Sequence, residues 1–142
     1  MARRAMWTVI LACALGAAGA AAPRSTTLTV GGAQRRAILN AVRTPVEKEL
    51  KQKVRFRVDH LRSDGEWAFF FGAPQSAGGR APDYRKTRYR EAVAAGAFDN
   101  GVSALLRKRG GRWRLLTYVL GATDVPWEGW PKRYGAPRRL FP

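Results

Sequence analysis

The chain has 142 residues, 46% of them hydrophobic, which leaves room for one domain with a core of its own and excludes two. Twenty-six Lys and Arg against ten Asp and Glu give a formal net charge of +16, a field that attracts anionic partners over roughly 8–10 Å at moderate salt and repels basic ones. A single Cys and a single His exclude an intrachain disulfide and leave no ligand spacing for a metal site, so no cofactor is expected.

The chain opens on Arg3 and Arg4, an apolar run from Ala5 to Ala18, and the small residues Ala18-Gly19-Ala20. That order of charge, greasy stretch and cleavage site is a secretory signal over residues 1–20, and the run is too short to be a membrane span. Ile10-Leu11-Ala12-Cys13 loosely resembles a lipobox, but only a short greasy segment precedes it and apolar sequence follows it. A mature chain beginning near Ala21, without lipid, is the expectation. It would be periplasmic or secreted. Loss of Arg3 and Arg4 with the signal leaves 24 basic against 10 acidic residues, a net charge of +14.

Residues 21–32 contain Pro23, Ser25, Thr26, Thr27 and a Gly-Gly pair and predict a flexible leader or a short edge strand. From Gln34 to Arg43, Ile38, Ala41 and Val42 fall on one side with Arg35, Arg36, Asn40 and Arg43 elsewhere, an amphipathic helix. Thr44-Pro45 with Glu47 spells a capping box with proline in the first helical position, so the helix is kinked or split at Pro45 and continues to Leu50. Val54, Phe56 and Val58 alternate with Arg55, Arg57 and Asp59 as a half-buried strand. Ser63-Asp64-Gly65 is a turn, and Glu66 to Gly72 is a strand apolar on both faces. A Gly/Ala/Ser-rich loop over 74–82 leads to Tyr84–Ala95, either a short helix capped by Asp83 and closed by Gly96 or a long excursion.

Gly101–Arg109, Gly110-Gly111 and Arg112–Gly121 form the clearest unit, an antiparallel hairpin, since paired glycines supply the positive φ that tight hairpin turns require. In its second arm Trp113, Leu115, Thr117 and Val119 alternate with Leu116, Tyr118 and Leu120, which predicts a central strand covered on both sides. Beyond it Asp124 can cap a short helix carrying Trp127, Trp130 and Tyr134, ended by Gly135 and Pro137. The fold class is therefore α+β: an N-terminal helix on a four-stranded antiparallel sheet, with a short aromatic C-terminal helix, all within residues 33–142.

Three motifs carry a resemblance. They are Arg36-Ala37-Ile38-Leu39-Asn40-Ala41 in the helix, Gly65-Glu66-Trp67-Ala68-Phe69 in a strand, and Ala104 through Trp113 across the hairpin. With the element order, these resemble small uncharacterised secreted bacterial proteins and, more broadly, the cystatin-like and nuclear-transport-factor-like superfolds, over about Gln34 to Gly121. The shared positions are core and turn residues, so the resemblance implies a fold and transfers no catalytic residue.

Two basic runs are candidate anion contacts: Arg85, Lys86, Arg88 and Arg90, and the hairpin tip Arg107, Lys108, Arg109, Arg112 and Arg114. The competing explanation is a solvated basic face, because Arg, Ala and Gly are all abundant as in a high-GC coding sequence. Trp127, Trp130 and Tyr134 either offer an aromatic platform or clamp the tail onto the sheet. His60 lacks a constellation around it and is expected to be structural, and no nucleophile elbow or phosphate loop is present. These features point to an exported, non-enzymatic module of the cell envelope with an anionic partner: a lipid headgroup, lipopolysaccharide, a wall polymer or nucleic acid. The alternatives are a small pocket-bearing enzyme and a cystatin-like inhibitor or partner-binding module.

Overall fold

The computed structural model describes residues 26–27 and 32–142, so the expected signal over 1–20, Cys13 and most of the 21–32 leader lie outside the described residues. Helix α1 covers Ala33–Leu50, with Ile38, Val42, Val46 and Leu50 recurring every fourth residue as one buried stripe. It runs through Pro45 as a single helix. Thr44 caps nothing, since its hydroxyl donates to the Asn40 carbonyl at 3.1 Å, back along the preceding turn. Glu47 likewise turns away from Thr44 and accepts from the Val54 N–H at 3.0 Å and from Lys53 Nζ at 2.9 Å, fastening the chain that leaves the helix.

Strands β1 (Thr26–Thr27), β2 (Arg55–Ser63), β3 (Trp67–Gln75), β4 (Val102–Arg109) and β5 (Arg112–Leu120) form an antiparallel sheet in chain order. The four long strands with α1 give the α+β arrangement that the patterning predicts, and Thr26–Thr27 adds a two-residue edge against Arg62 and Ser63. β3 is central and buried along nearly its whole length, as its two apolar faces require.

β5 corrects the expectation of a central strand, because it is the outer strand of the sheet. Its inner face lies under α1, and Val119 on the opposite face joins the C-terminal layer, so both faces are covered although one edge is open. Its alternation is also interrupted. Leu105 pairs with Thr117 and Leu106 with Leu115, which leaves Leu116 as the extra residue of a bulge, 41% exposed. Trp113, Leu115, Tyr118 and Leu120 therefore share the helix side, an arrangement that strict odd–even counting cannot produce. A second bulge, at Asp59, separates the Val58–Gly72 and His60–Phe71 pairs.

The other face of the sheet carries Trp67, Phe69 and Leu105 and is closed by the C-terminal segment. Helix α2 is only Arg90–Ala94, and α3 is only Trp130–Tyr134, followed by a 3-10 turn over Arg138–Leu140. Gly135 ends α3 at a φ of 69°, as expected, but α3 starts after Gly129 and Asp124 does not cap it. Asp83 similarly bonds the Arg85 N–H at 3.0 Å in a local turn and does not cap α2. Leu140 and Phe141 are buried against Phe69, whose ring centroid lies 4.7 Å from that of Phe141. His60 Nε2 donates to the Leu140 carbonyl at 2.9 Å, so the histidine ties the tail to β2. Among the described residues no helix is long and apolar enough to cross a membrane.

Candidate functional site

The hairpin joining β4 and β5 turns at Gly110 and Gly111, with φ of 54° and 74°; positive values at both central positions match the right-handed twist of the flanking strands. That turn sets the register, placing Arg109 opposite Arg112, Lys108 opposite Trp113 and Arg107 opposite Arg114. Directly opposed residues share a face and successive ones alternate. Arg107, Arg109, Arg112 and Arg114 therefore form a two-by-two block on one face. Lys108 falls on the other, its ammonium 5.8 Å from the Trp113 ring.

Within the block only Arg107 is held. Its guanidinium lies 4.7 Å above the Trp67 ring and 2.7 Å from Glu66 Oε1. Arg109, Arg112 and Arg114 are exposed and make no ion pair with the described residues. Opposed like charges on neighbouring strands cost stability, so four guanidiniums with one carboxylate make an arrangement that an anion would relieve. Their planar forks suit paired hydrogen bonds to phosphate or carboxylate. Arg139 lies at the same end of the sheet, held by Asp64 at 3.0 Å, and Arg62 donates to the Arg139 carbonyl at 3.1 Å.

The second basic run is elsewhere. Arg88 pairs with Glu49 at 2.5 Å, and Tyr89 also donates to Glu49, which fixes this run over the C-terminal end of α1. Tyr118, bonded to the same Glu49, stands six positions along β5 from Arg112, roughly 20 Å at 3.3 Å per residue. The fold thus leaves the two runs apart. Arg85 is bound to Asp83 at 2.6 Å, an exposed pair that holds the Asp83 carboxyl well below the ordinary carboxylate range, while Lys86 and Arg90 are exposed.

Trp127, Trp130 and Tyr134 lie in the layer that closes the second face. Trp127 packs 5.4 Å from Phe69 and 5.2 Å from Phe71, Trp130 is buried 6.2 Å from Phe69, and Tyr134 meets Trp130 edge-on at 6.5 Å. Trp127 precedes α3 and does not belong to it.

Glu49 was not marked by any sequence pattern. Burial alone would raise its pKa, but hydrogen bonds from Tyr118 and Tyr89 and the charge of Arg88 hold it below its ordinary 4.5. The Tyr118 hydroxyl is pushed up in turn, by burial and by its bond to Glu49. No protein-family model, curated protein or solved structure matches the chain.

Proposed function

We propose that this chain is an exported, non-enzymatic binding module of the cell envelope that contacts an anionic partner through Arg107, Arg109, Arg112 and Arg114. The observation that carries this reading is the cross-strand register, which gathers four guanidiniums on one face around a single carboxylate. A solvated basic surface has no need of such opposition, which costs stability unless a ligand neutralises it. The Arg3-Arg4 and Ala18-Gly19-Ala20 pattern supports export, and the candidate partners are then lipid headgroups, lipopolysaccharide, wall polymers and free nucleic acid.

Binding of the purified protein to phosphatidylglycerol vesicles, lipopolysaccharide and duplex DNA, measured at low and physiological salt, tests the proposal. Affinity for at least one of them falls steeply as salt rises. Replacing Arg109, Arg112 and Arg114 together with Gln weakens that binding and, on DNA, lowers the slope of log affinity against log salt by about 2–3. The same variant melts at or slightly above the wild-type temperature, because it removes repulsion and no ion pair. Undiminished binding by the triple variant, or affinity indifferent to salt, overturns the assignment.

A further inference from the structure

The end of the sheet opposite the arginine block holds a cavity of about 360 Å³ with the opposite electrostatic character. Phe71 and Trp127, 5.2 Å apart between ring centroids, form an aromatic wall. Asp59, carried on the β2 bulge, lines the cavity with its charge taken by Arg57 through hydrogen bonds of 3.0 and 3.1 Å. Asp99 and Asp124 also line it, and neither forms an ion pair with the described residues. Three carboxylates against one guanidinium leave a net charge of minus two in a chain whose total is +16.

Ser103 supplies an independent indication. It is 3% exposed, lines the cavity, and its hydroxyl has no hydrogen-bond partner among the described residues. Pairing with Phe71 and Val119 turns its side chain toward the face that carries the aromatic wall. A buried hydroxyl left unbonded is costly, and such a group calls for a partner from outside the chain. Two carboxylates and a hydroxyl are all acceptors, so the group that meets them is a cation that brings its own donors. A primary ammonium has three donors and is attracted to aromatic faces.

We infer that this cavity binds a primary ammonium group, which donates to Ser103 Oγ and to the Asp99 and Asp124 carboxylates against Phe71 and Trp127. The group comes either from a free aliphatic amine or from a lysine side chain of a peptide. This site is separate from the arginine block and does not depend on the function proposed for it.

Calorimetric titration with cadaverine and with a short acetylated, amidated lysine peptide, alongside amide shifts of Gly101 and Ser103, is the test. At least one of the two amines binds, and pentanol, which lacks the charge, does not. Binding of cadaverine alone assigns the site to free amines, and binding of the peptide assigns it to lysine side chains. The Asp99→Asn, Asp124→Asn double variant binds about tenfold or more weakly. Ser103→Ala also weakens binding while melting at or above the wild-type temperature, because an unbonded buried hydroxyl has been removed. Neutralising Arg109, Arg112 and Arg114 leaves amine binding in place. Failure of both amines to bind, or binding unchanged in the double variant and in Ser103→Ala, overturns the inference whatever the outcome with polyanions.

Discussion

Glu49 joins three distant parts of the chain, since its carboxylate accepts from Tyr118 on β5 at 2.5 Å and from Tyr89, and pairs with Arg88 in the excursion before α2. Its folded pKa lies below its ordinary 4.5, so it contributes stability that is fully present above that value and is lost as the pH falls through the folded pKa. Glu49→Gln should therefore lower the urea midpoint at neutral pH and flatten the acid limb of the stability profile, as denaturation across the acid range will report. If the acid limb is unchanged, the carboxylate is not the group that titrates there. No local signal marks Glu49 in the sequence, because its partners are 40 and 69 positions away. Asp99, Ser103 and Asp124 were hidden for another reason: no motif links them, and they line one cavity only because the residues after β5 fold back over the end of the sheet. The arginines of the hairpin tip were visible by contrast, since a two-residue turn converts sequence spacing directly into cross-strand opposition.

Among the elements, α1 carries the clearest unrelieved local conflict. Pro45 has no N–H to offer the Ala41 carbonyl, and interior proline costs a helix about 3 kcal/mol, yet α1 continues because Val42, Val46 and Leu50 bury the same stripe on either side of it. Tertiary packing overrides the local stop signal, which left a kinked helix and a split one both open, and α1 runs on unsplit. Pro45→Ala should raise stability by about 1–3 kcal/mol, and a higher melting temperature with unchanged helical circular dichroism is the expected result. A lower melting temperature would mean that the proline ring itself packs favourably. The strands were legible from their period, and β3 in particular from its apolar runs on both faces. The position of β5 was not. Apolarity on both faces reports cover above and below, and says nothing of what lies alongside, so an outer strand roofed by α1 and by the tail reads like a central one. The bulge at Leu116 was equally hidden, because no glycine or proline marks it.

At the scale of the molecule, the sheet divides the interior into two layers that the sequence disclosed unequally. The helix side follows from α1 periodicity, whereas Leu140 and Phe141 stand in a basic, proline-flanked tail with no periodic pattern and are buried only because Phe69 and Trp67 need cover. Charge is divided as well, with the arginine block at one end of the strands and the carboxylate-lined cavity at the other. One consequence of the Leu116 bulge concerns how copies of the chain behave toward each other. β5 presents an open edge of nine residues, and a regular edge of that length is a template on which a second copy can add its own strand. The extra residue offsets the outward row of N–H and C=O groups near its middle, so two such edges cannot zip together along their length, and Arg112 and Arg114 repel the approach at one end. Deleting Leu116 leaves Leu105 opposite Thr117 and Leu106 opposite Leu115 in unbroken register, with the inward side chains unchanged. The deletion variant should fold, and light scattering should then show it self-associating at concentrations where the wild type stays dispersed, the more so in salt that screens the arginines. A variant that folds and remains dispersed would place the protection elsewhere than in the bulge.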